Sequence, residues 1–174
     1  LSLIILLSGS YKDNDAKLVK LAERIQRKTL TMDTHCDTPL NMMRSSGFDL
    51  GERHTEGCVD FPRMIEGGLD AEFFAVFTSQ GPRNDSAYNE IYKYALKELD
   101  TIHRNVERSS DLAGIASSPE DAFRLKKEGR LAAFIGIENG YPIGKDISRI
   151  KELYDKGARY ITLAHTRNND ICDS

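Results

Sequence analysis

The stretch LAAFIGIENG, residues 131–140, is an almost continuous apolar run that ends in an acid and a glycine turn. A short run with apolar residues at successive positions is typical of a strand buried on both faces, as in a parallel sheet. The stretch AEFFAVFTS, residues 71–79, has the same character. Both stretches therefore predict central strands of an α/β sheet.

Two further strands are predicted on either side of this pair. In TLTMDTHCDTP, residues 29–39, Leu30 and Met32 alternate with polar residues, and Pro39 ends the extended run. A fourth strand is predicted in RYITLAHTRNND, residues 159–170, and is expected to end at His165. The glycine-rich and charged stretch 41–59 is predicted to be a long loop.

Amphipathic segments separate the predicted strands. The longest runs from Ser86 to Arg108, and shorter helices are expected to start near Asp60, Ser118 and Asp146 and to stop at glycines. A further short helix is predicted within residues 16–28. One apolar stripe of the long helix contains Ile91, Ala95, Leu99, Ile102 and Val106. Strands and helices alternate four times, which predicts parallel βαβ units in either a doubly wound sheet or half of an eight-stranded barrel.

The composition is that of an ordinary globular protein, because 40% of the 174 residues are hydrophobic, 29% are charged and the net charge is −3. Lysine and arginine are scattered without a basic block, so a nucleic-acid partner is not expected. Three cysteines, none in a CxxC pair, indicate neither a disulfide framework nor a structural zinc site.

The first ten residues, LSLIILLSGS, form an apolar run that turns small and polar. The run is far shorter than the ~20 residues that a membrane-spanning helix needs, so no stable span is expected. It fits the apolar part of a secretory signal peptide, with Ser8 and Ser10 before a cleavage site. This pattern predicts a secreted or periplasmic protein, and the alternative is a buried strand.

Reactive side chains follow three of the predicted strands. His35 and Asp37 end the first strand, Glu138 the third and His165 the fourth. The C-terminal strand ends form the active-site rim of a barrel and also the ligand crevice of an open sheet. We therefore expect these four side chains to lie close together.

The i, i+2 spacing of His35 and Asp37 predicts that both point to one side of their strand, where they can bind one ion. A nitrogen and carboxylate oxygens suit zinc or a similar divalent metal. Glu138 could bridge a second ion, and the water shared by the two metals could attack a polarised carbonyl. Two alternatives stay open: Glu138 as a capping or loop-tying acid, and His165 as a hydrogen-bonded core histidine.

Residues 33–39, together with VDFPRMIEGGLDAEFFAVFTS (59–79), LAAFIGIENG (131–140) and ARYITLAHTRNNDICDS (158–174), resemble the membrane (renal) dipeptidase family of zinc peptidases. The order and the separations are similar. The resemblance implies a (β/α)8 barrel of the TIM type, of which about the first four βα units are present. It also implies the hydrolysis of dipeptides, often with a D-residue at the C-terminal position.

By this resemblance, His35 and Asp37 bind one zinc, and Glu138 bridges two zinc ions in each active site of the complete protein. Glu138 is thereby both a metal ligand and a catalytic residue, since the bridging hydroxide is the expected nucleophile. His165 is expected to contact the substrate and to stabilise the tetrahedral intermediate without binding metal. The implied partner is a dipeptide substrate.

The family takes two more zinc-binding histidines and a catalytic aspartate from later strands. We therefore interpret residues 1–10 as a signal-peptide-like remnant and residues 11–174 as the N-terminal half of a metallo-dipeptidase barrel, which is expected to be inactive alone. Open sheet edges invite association, so a homodimer is possible. Two other functions remain: another metal-dependent barrel hydrolase, either an amidohydrolase or a phosphoesterase, and a non-catalytic secreted barrel that binds peptides.

Overall fold

The computed structural model describes residues 2–45 and 47–174, with side chains from Asp15 onward. A short 3-10 helix, Tyr141–Ile143, follows the longest strand. In chain order the helices and strands are α1 (Ser2–Lys28), β1 (Met32–Cys36), α2 (Thr38–Arg44), α3 (Phe61–Gly67), β2 (Ala71–Phe77), α4 (Asp85–Arg108), β3 (Ala113–Ile115), α5 (Pro119–Lys127), β4 (Leu131–Glu138), α6 (Ser148–Asp155) and β5 (Ala158–Ile161).

All strand pairs in the sheet are parallel. Strand β2 lies between β1 and β4, and it pairs with β4 from Ala71 opposite Ala132 to Phe77 opposite Glu138. On its other side β4 pairs with β3 near its start and with β5 near its end. The path β1-β2-β4-β5, with helices between the strands, is that of the first four units of a (β/α)8 barrel, as predicted. Strand β3 is an addition outside this path.

Helix α4 covers one face of the sheet. Its residues Ala95, Leu99 and Ile102 are at most 1% exposed, and they share one core cluster with Phe74 and Ile135 of the sheet. Burial of a leucine or isoleucine side chain stabilises the fold by roughly 1.5–3 kcal/mol. The predicted apolar stripe of this helix is thus the surface that holds it on the sheet.

The opposite face of the sheet carries Phe73 and Phe134, whose rings stack with centroids 4.8 Å apart. Ala122 and Leu125 of α5 pack in the same cluster as Phe134, near the start of the strands. Because α5 packs near the N-terminal ends, the polar side chains at the C-terminal ends lie at the other, open end of the half barrel.

Two of the predicted helix starts coincide with residues whose side chains cap the helix. The Asp60 side chain accepts a hydrogen bond from the backbone N–H of Arg63 at the start of α3, and Ser118 does the same for Asp121 in α5. Gly68 ends α3 in the left-handed conformation, with φ 72°, which glycine adopts without strain. These local signals predict helix ends correctly because each satisfies backbone groups within a few residues.

Two predictions about the elements are wrong, and one strand was missed. The predicted loop from Asn41 contains the second half of α2, because Pro39 starts a helix as well as ending the strand. Strand β5 ends at Ile161, so His165 lies in the following loop. Strand β3 was not predicted, since Ala113–Ile115 is too short to show a pattern.

The predicted helix within residues 16–28 is confirmed and is the C-terminal part of the longer α1. Its apolar residues are exposed, with Leu18 at 62%, Leu21 at 40% and Ile25 at 56%. The alternative of a strand for the first ten residues is wrong, because the backbone is helical from Ser2. Leu1 and the leader side chains lie outside the described residues, so the signal-peptide interpretation stays a prediction.

Candidate metal centre

Three of the predicted site residues meet at the C-terminal end of the sheet. His35 Nε2 lies 3.4 Å from Asp37 Oδ1 and 3.1 Å from Glu138 Oε2. One ligand atom from each of these residues lies within 4.8 Å of the others. Among the described residues, this is the one group of three or more acids, histidines or cysteines with such geometry.

The sheet brings His35 and Glu138 together although 103 residues separate them in sequence, from 35 to 138. Strand β2 lies between their strands, and the carboxyl ends of parallel strands lie at one edge of a sheet. Glu138 is the last residue of β4 and pairs with Phe77, the last residue of β2. The predicted convergence at strand ends therefore follows from the parallel register.

Asp37 reaches His35 by a different route from the predicted strand alternation. It lies beyond β1 as the N-cap of α2, with φ −88° and ψ 12°, and is therefore not extended. The turn into the helix points its carboxylate toward the His35 ring. The two side chains are close together, as predicted. The reason is the turn into α2 and not the alternation of side chains along an extended strand.

An irregularity in β1 places its side chains around the site. Asp33 pairs with Glu72, whereas Cys36 pairs with Phe74, so β1 has one residue more than β2 between these pairs, as in a β-bulge. The Cys36 side chain is partly buried and packs against the core cluster that contains Phe74 and Leu99. Burial is the main cause that raises the pKa of the Cys36 thiol, to about 12. A protonated, core-facing thiol is a poor metal ligand.

The donor set and its surroundings fit a divalent cation. Glu138 Oε2 is buried and accepts no well-aligned hydrogen bond from any described residue, although His35 Nε2 lies 3.1 Å away. No described lysine or arginine pairs with Asp37 or Glu138, whose ion-pair partners are the histidines His35 and His165. One imidazole nitrogen and two carboxylates suit zinc. A cation would satisfy this buried oxygen, which lacks a well-aligned hydrogen bond.

A third acid, on α4, interacts electrostatically with Asp37 and Glu138. Glu98 of α4 is fully buried. Burial is the main cause that raises the pKa of Glu98, to about 8, and the charges of Asp37 and Glu138 act in the same direction. Carboxylates that repel one another in this way favour a bound cation, since its charge offsets theirs.

His165 lies in the loop after β5, beside the other oxygen of Glu138. Its Nε2 is 3.3 Å from Glu138 Oε1, and its ring meets the Phe77 ring edge to face, with centroids 5.3 Å apart. A cavity of about 200 Å³ adjoins it, lined also by Gln80, Asn139 and Arg167. His165 is thus exposed to a small cleft and is neither a core histidine nor part of the candidate ligand group.

Two asparagines that the sequence analysis did not consider fix this loop. The Asn169 side chain donates to the carbonyl of Leu163 at 2.6 Å and accepts from the N–H of Ile171 at 2.8 Å. Asn139, in the left-handed conformation with φ 82°, donates to the carbonyl of Thr78 at 2.9 Å. The dipeptide Asn139–Gly140 at a strand end was the available signal for such a turn.

A tyrosine on β5 contacts the candidate ligand His35 from the other side. The Tyr160 hydroxyl lies 2.9 Å from His35 Nδ1. Burial first, and then the charge of Glu138, raise the pKa of Tyr160 to about 12. The phenol therefore stays neutral near pH 7, and its oxygen can accept a hydrogen bond from the imidazole.

A parallel half barrel with a histidine and two carboxylates at its C-terminal rim defines a class of metal-binding (β/α)8 proteins. Residues 19–174 match the family model of membrane dipeptidases, peptidase family M19. The chain belongs to this family of metallopeptidases, as the resemblance in its motifs predicted.

Individual relatives agree with this assignment. Dipeptidase ataJ of Aspergillus terreus is 31% identical over 165 residues, which cover 88% of this chain and 39% of that protein. The probable dipeptidase PvdM from Pseudomonas aeruginosa has a similar structure, with a TM-score of 0.80 and 25% identity over 91% of this chain and 40% of that one. The chain therefore spans about two fifths of the length of these relatives.

A third relative extends the likeness in fold. A metallo peptidase from Rhodobacter sphaeroides, whose structure is liganded with a phosphinate mimic of the dipeptide L-Ala-D-Ala, matches with a TM-score of 0.69 and 17% identity. The match covers 80% of this chain and 46% of that one.

None of the helices among the described residues has the length and apolar character that crossing a membrane requires.

Proposed function

We propose that the whole protein containing this chain is a zinc-dependent dipeptidase. One observation carries the proposal: ligand atoms of His35, Asp37 and Glu138 lie within 4.8 Å of one another at the rim of a half barrel. Membership in a metallopeptidase family supports the choice of a peptide bond as the target. The chemistry supplied at such a centre is polarisation of the peptide carbonyl and activation of an attacking water.

In this proposal His35 and Asp37 would hold one zinc, and Glu138 would contribute to holding both that zinc and a second. The Glu138 carboxylate suits a bridging role because its oxygens face different groups, Oε2 toward His35 and Oε1 toward His165. Since the described residues contain a single ligand group, the other ligands of the second zinc must come from elsewhere in the whole protein. The chain alone is accordingly expected to be inactive.

His165 would contact the substrate beside the metals. Its ring is fixed against Phe77, and its Nε2 lies on the side of Glu138 away from His35. An N–H directed at the carbonyl oxygen would stabilise the negative charge that develops there during attack. The adjoining cleft, which Gln80, Asn139 and Arg167 also line, leaves His165 accessible to a substrate.

Two finer points belong to the same proposal. The L-Ala-D-Ala mimic in the Rhodobacter sphaeroides relative supports a substrate with a C-terminal D-residue. The apolar run in residues 1–10 supports secretion or a periplasmic location. A homodimer is a further prediction, which the size of the purified protein in solution would test.

The test is dipeptide hydrolysis by the purified whole protein. Activity on L-Ala-L-Ala and L-Ala-D-Ala should disappear after chelation and return with zinc, and Glu138→Gln should remove it. The matched control is Glu90→Gln, which changes an exposed acid on α4. Cleavage that survives complete chelation would refute the metal mechanism. Turnover of phosphate esters without dipeptides would indicate another barrel hydrolase, and zinc-dependent peptide binding without cleavage would indicate a binding module.

A further inference from the structure

We propose that Tyr160 is a positioning residue for the metal ligand His35: its hydroxyl fixes the orientation and the tautomer of the imidazole. The proposal rests on the metal centre proposed above but not on the reaction carried out there. It concerns a residue of β5. For this strand the sequence predicted only one site residue, His165, which was expected at its end.

The contact between the two side chains is direct. The Tyr160 hydroxyl lies 2.9 Å from His35 Nδ1, while the opposite ring nitrogen, Nε2, faces Asp37 and Glu138. The imidazole is thus held between a phenol on one side and the acids of the centre on the other. Among the described side chains, Tyr160 is the hydrogen-bond partner of Nδ1.

The backbone next to Tyr160 provides the space for its ring. Gly136 of β4 lies opposite Tyr160 in the sheet, and a Cβ added at Gly136 would overlap the tyrosine ring. Phe73 packs on the same ring, with centroids 5.1 Å apart. Gly136 of β4 leaves the space that the ring occupies, and Phe73 of β2 packs against it. These two contacts fix the position of the ring and therefore of its hydroxyl.

The geometry has a chemical consequence for metal binding. A neutral imidazole carries its proton on one nitrogen and its lone pair on the other. If Nδ1–H donates to the Tyr160 oxygen, the lone pair is on Nε2, which is the atom that faces Asp37 and Glu138. Partners of this kind commonly set the tautomer and ring orientation of metal-binding histidines, and their loss typically weakens metal binding by ~10- to 100-fold.

The experiment measures the zinc affinity of the whole protein by competition with a chelator. Tyr160→Phe keeps the ring and removes the hydroxyl, and we expect zinc binding about 10- to 100-fold weaker with an unchanged unfolding temperature of the metal-free protein. Tyr154→Phe is the matched control, because the ring of Tyr154 packs on the Arg159 guanidinium at the surface of α6. The control should bind zinc like the wild type.

A second variant tests whether the position of the Tyr160 hydroxyl, and not only its presence, matters for zinc binding. Gly136→Ala keeps the Tyr160 hydroxyl but displaces the ring that carries it, and it should also weaken zinc binding. The histidine nitrogen shifts of metal-free protein labelled with ¹⁵N should show His35 protonated at Nδ1, and a tautomer mixture in Tyr160→Phe. Wild-type zinc affinity in Tyr160→Phe, or an equal loss in Tyr154→Phe, would overturn the proposal. Tight zinc binding without dipeptide cleavage would instead refute only the proposed function.

Discussion

His165 Nε2 lies 3.3 Å from Oε1 of Glu138, on the side of the carboxylate away from His35. A histidine in this position can contact a substrate held at the centre without occupying a ligand position. The relationship separates two roles, metal binding and charge stabilisation, which can be tested one at a time.

The first prediction concerns His165→Asn in the whole protein. We expect kcat for dipeptides to fall by about 10²- to 10³-fold, because the shorter asparagine amide cannot place an N–H where the imidazole Nε2 lies, beside the developing oxyanion. The zinc content should stay at the wild-type value, since His165 lies outside the ligand group. The measurement pairs kinetics with metal analysis, and Leu163→Ala, an exposed residue of the same loop, is the control. Loss of zinc in His165→Asn would assign His165 a ligand role.

The second prediction concerns the loop that carries His165. Asn169 is 4% exposed, and its side chain bonds to Leu163, Ile171 and Cys172 of the loop. Asn169→Ala leaves these part-buried backbone groups without their partner, so the free energy of unfolding should fall by about 1–3 kcal/mol. Denaturant unfolding checks this, and kcat should fall as well. Asn168→Ala is the control, and equal losses in the two variants would contradict the assigned role.

A third prediction concerns pH and the buried acid Glu72. Burial first, and then the charge of Asp33, raise the pKa of Glu72 from 4.5 to about 8. The folded protein thus holds this proton more tightly than the unfolded chain does. The resulting stabilisation is fully present below the unfolded pKa and is lost as pH rises through about 8.

Glu72→Gln should therefore flatten the decrease in the free energy of unfolding between these pKa values. The measurement is denaturant unfolding at several pH values, with the exposed Glu90→Gln as the control. Glu98 contributes to the same decrease in both proteins, so a slope that stays parallel to that of the wild type would show that Glu72 does not contribute.

A fourth prediction tests the contact between α4 and the sheet. Leu99 is 1% exposed, so Leu99→Ala should lower the free energy of unfolding by about 2–5 kcal/mol through lost burial and the cavity that remains. Leu18→Ala changes the same side chain at 62% exposure and should alter stability by less than ~0.5 kcal/mol. A large effect of Leu18→Ala would show that the exposed stripe of α1 is covered in the whole protein.

Much of the fold is predictable from the sequence because its main signals are local. Continuous apolar runs predict β2 and β4, and the caps Asp60 and Ser118 mark two helix starts. Strand β3 was missed because its three residues are defined mainly by pairing with β4. Such pairing depends on residues distant in sequence, which no local pattern contains.

Most of the candidate site was also predictable from the sequence. Strand-end positions and the family resemblance indicated His35, Asp37, Glu138 and His165, and the structure brings them together. Tyr160 was missed because its role depends on the distance to a histidine 125 residues away. An apolar strand pattern gives no sign that one of its aromatic hydroxyls reaches a polar site.

The fit between Gly136 and Tyr160 also constrains how this family can change. An alanine at position 136 requires a smaller side chain at position 160, and an aromatic residue at 160 requires glycine at 136. Among related chains the two positions should consequently vary together, although 24 residues separate them, from 136 to 160. Lineages that have lost the aromatic residue would be free to lose the glycine, and their histidine at position 35 would need another partner.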